Sequence, residues 1–364
     1  MTDYRDRLGR VPADYNHRPD ILAEEIARVF EPSWICVGLT DDLANHNDFV
    51  TAEIGHRGIV VQNARGNLNA FRNVCSHRFS RIQCARSGNR PLLCPYHGWS
   101  YDQDGKPDGI PHNAKSFGLT EADRQDLSLE RYALDTCGRF VFVRMAKEGP
   151  SLREFLGGCY DALEHLSGVC PDKFESVSLE WDANWKIGMD NAAEGYHVPL
   201  VHAESFALIL MPDLEIARDA EHSTYRGKLT ERSQKWWDKV ERSIDLKPSP
   251  LYPGYANFLI FPNIVVTLSH GAFLTFQTIE PIDAGRLRIN STAWLAANRG
   301  GGARDLIVDS LKAFSHQVRE EDRAICAQAQ RGVRDRSDGR AGLLGEMEGR
   351  IAHFQAAYAR RMGL

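Results

Sequence analysis

The chain has 364 residues, of which 43% are hydrophobic and 26% charged, and its formal net charge is −5. This length allows two domains with sizeable cores, and the composition is ordinary for a soluble globular protein. The charge gives no reason to expect nucleic-acid binding, no apolar run is long enough to span a membrane, and the N-terminus is too polar for a signal peptide. We therefore expect a cytoplasmic protein that binds neither nucleic acid nor a membrane.

The first part of the chain predicts an arm followed by a small all-β domain. Residues 1–33 contain a polar arm and a short helix around ILAEEIARVF. Residues 34–150 alternate apolar runs with turn residues, as in DFVTAEI, RGIVVQNARGNLNAFRNV and RFVFVRM. Such runs are typical of short β-strands joined by turns.

Two mixed pairs of cysteine and histidine stand inside this β-rich segment. Cys75 and His77 form the first pair, Cys94 and His97 form the second, and each pair lies on a predicted turn after an apolar run. Two thiolates and two imidazoles are the ligand set of a Rieske [2Fe–2S] cluster. A structural zinc site is the alternative, although zinc fingers usually place both cysteines in one pair.

The other six cysteines show no regular spacing. In a reducing compartment we expect them to be free thiols, without a disulfide in the loop region. They are Cys36, Cys84, Cys137, Cys159, Cys170 and Cys326.

Residues 151–364 predict an α+β domain. A helix is expected at SLREFLGGCYDALEHL, strands at FLIFPNIVVTLS, AFLTFQTIEPI and RLRINSTAWLA, and long helices at the end. The last segment predicts a helix whose apolar stripe docks on the body or on a neighbouring subunit. That stripe consists of Leu344, Met347, Ile351, Phe354 and Tyr358.

A second group of potential metal ligands lies in NWKIGMDNAAEGYHVPLVHAESF. His197 and His202 are five positions apart, which on an ideal helix turns them away from a common face. Pro199 lies between them, and we predict that it distorts the helix so that both imidazoles converge on one metal. A non-haem Fe(II) site of the facial-triad type also needs one carboxylate.

Asp322 is the predicted carboxylate ligand. It falls on an apolar stripe of a long predicted helix, whereas Glu320 points away from this stripe and Glu321 lies at its margin. A carboxylate on an apolar face is costly unless it is paired or metal-bound, and a buried salt bridge to an arginine is the alternative. The stripe consists of Ile307, Leu311, Phe314, Val318 and Ile325.

Taken together, these motifs resemble the oxygenase α-subunit of the Rieske non-haem iron ring-hydroxylating family over nearly the whole chain. The resemblance rests on the two Cys/His pairs, CPYHGW, NWK, Glu194-x-x-His197-x₄-His202, and EED with Asp322. It implies an α+β protein with an N-terminal all-β Rieske domain and a C-terminal catalytic domain of helix-grip type, usually assembled as a trimer. It also implies a set of cluster ligands, Cys75, His77, Cys94 and His97, and a set of Fe(II) ligands, His197, His202 and Asp322.

The resemblance further assigns roles to residues near the iron. In this family the cluster of one subunit passes electrons to the iron of its neighbour through an acidic residue, which corresponds to Glu194. Most members have Asp there, and Glu has been noted in oxygenases of quaternary ammonium compounds. Asn191 matches an Asn near the open iron position, while Asp190 replaces a more usual Glu.

The implied function is that of a terminal oxygenase. It would use O₂ and electrons from an NAD(P)H-dependent reductase, with or without a ferredoxin, to hydroxylate an aromatic substrate by mono- or dioxygenation. The alternatives are a monooxygenase of a quaternary ammonium compound, an O- or N-demethylase, and a non-catalytic Rieske electron carrier.

The substrate pocket is predicted in outline. Its walls are expected from ESFALILM and from the aromatic residues of the following strands, about half of which should face elsewhere because side chains alternate along a strand. Such a pocket suits a planar ring or, as an aromatic cage, a quaternary ammonium group. The strand aromatics are Tyr255, Phe258, Phe261, Phe273 and Phe276.

Overall fold

The computed structural model describes residues 8–336 and 338–364, with the side chains of 212–214 left aside. Contacts divide these residues into two units. The β unit is Phe30–Phe155, and the α+β unit is Leu156–Leu364 together with the residues up to Val29.

The α-helices are α1 (Pro19–Glu25), α2 (Glu121–Asp126), α3 (Leu152–Leu156), α4 (Gly158–Val169), α5 (Trp185–Ala193), α6 (Val198–Val201), α7 (Glu231–Ile244), α8 (Gly302–Asp335) and α9 (Gly349–Met362). The strands are β1 (Leu8–Pro12), β2 (Ile35–Leu39), β3 (Asp48–Ile54), β4 (Arg57–Ala64), β5 (Asn67–Arg72), β6 (Ser87–Asn89), β7 (Ser100–Tyr101), β8 (Pro107–Gly109), β9 (Arg131–Cys137), β10 (Phe140–Arg144), β11 (Asp172–Trp181), β12 (Leu210–Asp219), β13 (His222–Leu229), β14 (Tyr255–Ile260), β15 (Ile264–Ser269), β16 (Phe273–Asp283), β17 (Arg286–Leu295) and β18 (Ala341–Leu343).

The β unit is built on a seven-stranded sheet with the order β2-β10-β9-β5-β4-β3-β6, and β7 and β8 form a separate hairpin. Its strands are rich in Val, Ile and Phe, which pack well on a pleated surface. Phe49, Val60 and Phe71 from the sheet pack with Trp99 and Tyr101 in one buried cluster. This cluster forms the apolar support beneath the loops that carry the Cys/His pairs.

The α+β unit is built on a seven-stranded antiparallel sheet with the order β11-β17-β16-β15-β14-β13-β12. Helix α5 contacts β16 and β17, α8 contacts β11, and α5 and α8 contact each other. Because opposite residues of antiparallel strands point to the same face, the register aligns one row of side chains across six strands. This row consists of Glu175, Ala293, Thr275, Thr267, Asn257 and Tyr225.

Two predicted helices differ from the structure. The segment expected to form one helix after Ser151 forms α3 and α4, because Gly157 interrupts it with a left-handed φ of 51°. The final helix begins only at Gly349, so Met347 lies before it and is 54% exposed. Ile351, Phe354 and Tyr358 are buried as predicted.

A buried ion pair fastens the N-terminal helix to α5. Lys186 Nζ lies 2.6 Å from Glu25 Oε1, and the side chains are only 2% and 0% exposed. Glu25 also accepts hydrogen bonds from Trp185 Nε1 at 2.7 Å and from the Tyr358 hydroxyl at 2.6 Å. The carboxylate therefore joins α1, α5 and α9 through charge-assisted hydrogen bonds.

Lys186→Met is expected to lower the free energy of unfolding by about 3–5 kcal/mol, because it leaves the Glu25 charge buried without its counter-ion. The double variant Glu25→Gln, Lys186→Met removes both charges and keeps an acceptor for Trp185 or Tyr358, so it should be more stable than the single variant. Urea denaturation followed by circular dichroism measures both values. Equal stabilities of the single variant and the wild type would contradict the expected role of this pair.

Candidate metal centres and substrate cavity

The two Cys/His loops of the β unit share one backbone geometry. The backbone N–H of Phe79 donates to the Cys75 carbonyl, and that of Gly98 donates to the Cys94 carbonyl, each at 3.0 Å. Phe79 and Gly98 close the loops with left-handed φ angles of 62° and 72°. The matching turns place each histidine two or three residues after its cysteine on a tight loop.

The side chains of the two loops converge. The thiols of Cys75 and Cys94 are buried, and the ring centroids of His77 and His97 lie 4.6 Å apart. His77 Nδ1 is buried without a hydrogen-bond partner among the described residues. Burial raises the pKa of Cys75, although the Tyr101 hydroxyl donates to its Sγ at 3.1 Å. Two thiols and an unpartnered imidazole nitrogen fit an iron–sulfur cluster, whose positive irons stabilise thiolates.

An aromatic residue packs against one of the predicted cluster ligands. The rings of Trp99 and His77 stack at 5.0 Å with an interplanar angle of 6°. Cys84, the third cysteine of this region, is exposed and, like Cys75 and Cys94, is not in a disulfide.

The predicted iron ligands of the α+β unit come together. One ligand atom from each of His197, His202 and Asp322 lies within 4.8 Å of the others. Asp322 Oδ1 is 3.0 Å from His202 Nε2 and 3.7 Å from His197 Nε2. Two imidazoles and one carboxylate are the donor set of non-haem Fe(II) oxygenases.

The backbone between the histidines differs from the prediction for Pro199. Helix α5 ends at Ala193, Glu194 is extended, and the one-turn helix α6 begins at Val198 with His197 as its N-cap. Pro199 therefore lies in the first turn of α6, where its missing N–H has no helical acceptor to lose. The helix opens before Glu194, and Pro199 helps to start the next turn.

Carboxylates outside the ligand set bind the second nitrogen of each imidazole. Glu194 Oε1 makes a short contact with His197 Nδ1, and Glu321 Oε2 lies 2.6 Å from His202 Nδ1. Such partners fix the tautomer and orientation of a ligating histidine. Glu321 also accepts from Ser205 Oγ at 2.5 Å and from Gln317 Nε2 at 2.9 Å.

Glu321 is the residue that the sequence interpretation missed. Its position at the margin of the apolar stripe gave no sign that it reaches His202, which is 119 positions away. The available signal was Gln317, four residues earlier on the same helix, because an i,i+4 amide–carboxylate pair holds the carboxylate in one orientation.

Hydrogen bonds also fix the other ligands. Asn191 Nδ2 donates to Asp322 Oδ1 at 2.8 Å, so the predicted Asn lies beside the predicted ligand. Burial by itself would lower the pKa of His202, but its hydrogen bonds to Asp322 and Glu321 raise this pKa overall. The metal-free site thus attracts positive charge, as a cation site should.

The buried face of α8 differs in part from the predicted stripe. Ile325 is 40% exposed, whereas Arg319 is buried and ion-paired with Glu175. Leu311 is buried and Phe314 and Val318 line the cavity, so the inner face departs from the predicted stripe near Ile325, where Cys326 is buried instead. Asp322 stays on the inner face, one turn after Arg319. The buried residues are Val308, Leu311, Arg319, Cys326 and Gln330.

Asp190, which stands where Glu is more usual in the resembled family, has a buried carboxyl group. Its Oδ2 accepts from Gln355 Nε2 at 3.1 Å, while its Oδ1 is buried without a partner among the described residues. Burial raises the pKa of Asp190 to about 7. This carboxyl group is a buried part of the fold and not a helix-surface charge.

A cavity of about 150 Å³ adjoins the iron-ligand set. Of the predicted strand aromatics, Tyr255 and Phe273 line it, whereas Phe258, Phe261 and Phe276 do not. Alternation along β14 and β16 explains why Phe258 and Phe276 face elsewhere, whereas Phe261 lies beyond the end of β14. The aromatic residues of the lining are Trp181, Phe206, Tyr225, Tyr255, Phe273 and Phe314.

Comparison with known families decides the class of the protein. The family model of the ring-hydroxylating α-subunit catalytic domain matches residues 172–364, and that of the Rieske [2Fe–2S] domain matches residues 33–132. The chain belongs to the ring-hydroxylating oxygenase α-subunit family. It is therefore a Rieske-type non-haem iron oxygenase with a [2Fe–2S] domain and a mononuclear-iron catalytic domain. This result confirms the predicted fold and cofactors and disfavours both the zinc site and the non-catalytic carrier.

The relatives include enzymes of quaternary ammonium compounds. The glycine betaine monooxygenase oxygenase subunit of Chromohalobacter salexigens is 30% identical over 67% of this chain and 54% of that protein. The carnitine monooxygenase oxygenase subunit of Acinetobacter baumannii is 26% identical over 95% of this chain and 96% of that protein.

A solved structure shares the fold. A quaternary ammonium Rieske monooxygenase in complex with its substrate γ-butyrobetaine matches with a TM-score of 0.78 and 21% identity, covering 97% of this chain and 95% of that one.

Within residues 8–336 and 338–364, none of the helices combines the length and hydropathy that a membrane crossing requires.

Glu321→Gln is expected to weaken iron binding by about 10- to 100-fold, because His202 loses the carboxylate that orients it. Glu320→Gln is the matched control, since Glu320 is the preceding residue and pairs with Arg323 outside the site. Iron per chain, measured after graded chelation with the cluster absorbance as an internal standard, gives the comparison. Equal iron retention in the two variants would contradict the role assigned to Glu321.

Asp190→Asn should stabilise the protein more at pH 8 than at pH 5. The folded-state pKa of about 7 lies above the ordinary value of 3.8, so the folded state binds the extra proton and stability is lost as pH rises between these values. The Asn variant has no carboxyl group to lose a proton, so its gain in stability over the wild type should be larger at pH 8 than at pH 5 by about 2.7 kcal/mol. Urea denaturation at both pH values measures it, and a gain independent of pH would disprove the buried-acid assignment.

Proposed function

We propose that this protein is a terminal oxygenase component that uses O₂ and electrons from an NAD(P)H-dependent reductase to oxygenate a quaternary ammonium compound. The observation that carries the proposal is a run of aromatic rings that starts at an iron ligand. Ring centroids lie 6.2 Å apart for His202 and Phe206, 5.2 Å for Phe206 and Tyr255, and 5.7 Å for Tyr255 and Tyr225. A quaternary ammonium group has no N–H to donate, so aromatic faces are the surfaces that recognise it.

The extent of the matches supports this substrate class: the carnitine enzyme matches 95% of this chain, whereas an anthranilate and a toluate dioxygenase match 55% and 50% of it. The glycine betaine and carnitine enzymes described above carry names that specify quaternary ammonium substrates. Glu194 stands where most of the family has Asp, and a Glu at this position fits the oxygenases of quaternary ammonium compounds. Hydroxylation of an aromatic substrate is the second candidate, because the same rings would also pack against a planar ring.

We assign the metal-binding roles as follows. Cys75, His77, Cys94 and His97 would hold the [2Fe–2S] cluster, and His197, His202 and Asp322 would hold the mononuclear iron. When bound, these groups supply single electrons and the reductive activation of O₂.

Residues around the iron site orient its ligands and line the cavity beside it. Glu194 and Glu321 hold the Nδ1 atoms of His197 and His202, which leaves each Nε2 free for the metal. Asn191 fixes Asp322 Oδ1 by its amide hydrogen bond. The aromatic lining excludes water and orients the substrate beside the ligand set.

We further propose that the enzyme is a homotrimer, or a multiple of one, in which His77 or His97 of one subunit faces Glu194 of the next. Both surfaces expose large apolar side chains: Phe79 is 79% exposed on a cluster loop, and Leu200 is 87% exposed on the helix after His197. Tyr96 on the other cluster loop and Tyr196 next to His197 are also exposed, and apolar patches of several such side chains mark interaction surfaces. We propose that the Rieske domain comprises residues 34–150 and the catalytic domain residues 151–364, preceded by an N-terminal arm and helix in residues 1–33.

A substrate panel tests this function. With a supplied reductase, we expect O₂ uptake and NADH oxidation to couple to an oxygenated or dealkylated product from glycine betaine, L-carnitine or choline, identified by mass spectrometry. His197→Ala should keep the cluster absorbance and lose turnover at least about 100-fold, because one iron ligand is missing.

Two outcomes would count against the proposal. Coupled product formation from benzoate or naphthalene alone would replace the quaternary ammonium class by aromatic hydroxylation. Full turnover of the His197→Ala variant would remove the mononuclear iron from the mechanism.

A further inference from the structure

One basic side chain lines the cavity with part of its hydrogen-bonding capacity unused. Arg319 lies one helical turn before Asp322 on α8, lines the cavity, and has a side chain only 9% exposed. Its Nη1 donates to Glu175 Oε2 at 3.1 Å, while its Nε is buried without a partner among the described residues. Buried guanidinium donors are normally satisfied, so this orphan donor needs an explanation.

The position of Arg319 in the cavity is set by the sheet. In the row of side chains across the six strands, Glu175 stands on β11 at one end and Tyr225 on β13 at the other. Arg319 is held at the β11 end by Glu175 and lies one helical turn before Asp322, the carboxylate that meets His202. At the far end Arg350 lies over the Tyr225 ring at 4.6 Å and donates to Asn257, so Arg319 is the arginine that faces the cavity beside the iron ligands.

The charges of the lining point to an anion at this end. Among the described residues that line the cavity, Arg319 is the one arginine or lysine, and the acidic groups Glu194 and Asp322 belong to the iron site. Glu175 neutralises one part of the guanidinium, but an arginine has five N–H donors in a planar fork. This fork binds carboxylates and phosphates with well-directed hydrogen bonds, and the substrates named for the glycine betaine and carnitine enzymes carry a carboxylate.

We propose that Arg319 binds a carboxylate of the substrate. This inference rests on the proposed function and narrows it to a quaternary ammonium carboxylate. The cationic head lies against Phe206, the ring that adjoins His202, and the carboxylate reaches the guanidinium one helical turn from Asp322. Arg319 is thus a specificity-determining residue, and a trimethylammonium alcohol lacks the group that it recognises.

The test compares two ligands that share a trimethylammonium head. Glycine betaine has a carboxylate where choline has a hydroxymethyl group, and their dissociation constants are measured by calorimetry on the anaerobic holoenzyme. We expect the wild type to prefer glycine betaine. Arg319→Gln should weaken glycine betaine binding by about 10- to 100-fold and leave choline binding nearly unchanged, because it removes one charge-assisted interaction.

Two more variants separate recognition from structure. Glu175→Gln removes the ion-pair partner and keeps Arg319, so glycine betaine binding should be retained or strengthened. Arg319→Lys keeps a cation beside Glu175 and therefore the fold, but it lacks the planar fork and should show an intermediate loss for glycine betaine alone. If Arg319→Gln does not fold, the Arg319→Lys ratio of the two dissociation constants decides the question.

The outcomes distinguish this inference from the proposed function. A wild type that binds choline as tightly as glycine betaine, or Arg319 variants that lose both ligands equally, would overturn the carboxylate site. A wild type that binds neither ligand but binds benzoate, with a loss in Arg319→Gln, would refute the quaternary ammonium class and support the carboxylate site.

Discussion

The catalytic unit depends on one constraint: two imidazoles must each offer one nitrogen to the same point and satisfy the other nitrogen elsewhere. Glu194 and Glu321 meet the second requirement for His197 and His202. The first requirement cannot be met on a continuous helix, because residues five apart face different directions. The break between α5 and α6 resolves this conflict, and α8 then supplies Asp322 from across the cavity.

The buried Glu25–Lys186 pair helps to position the iron site by fixing the start of α5. Lys186 lies in the first turn of α5, the helix that carries Asn191 and ends just before Glu194. A charged carboxylate with three donors from two helices tolerates little displacement, because each lost hydrogen bond leaves a buried charge less satisfied. The start of α5 is therefore fixed electrostatically, and its end can open without loosening the helix.

The sequence predicted which side chains come together better than it predicted the backbone that presents them. Metals restrict the residue types and spacing of their ligands, so Asp322 could be chosen from its helix alone. Pro199 was misinterpreted because a proline starts a helix or breaks one according to context that only the fold supplies. Ile325 and Glu321 were misplaced because the surroundings of α8 are set by His202 and by β11, which are far away in the chain.

The placement of Arg319 and Asp322 one turn apart on α8 has a thermodynamic consequence. A carboxylate bound at Arg319 and a metal cation bound at Asp322 would carry opposite charges one helical turn apart, so each would attract the other and their binding free energies would be coupled. Such coupling is reciprocal: if the metal changes the affinity for the carboxylate by some factor, the carboxylate changes the affinity for the metal by the same factor. Binding of the substrate carboxylate at Arg319 would thus change the affinity of the iron site for its metal.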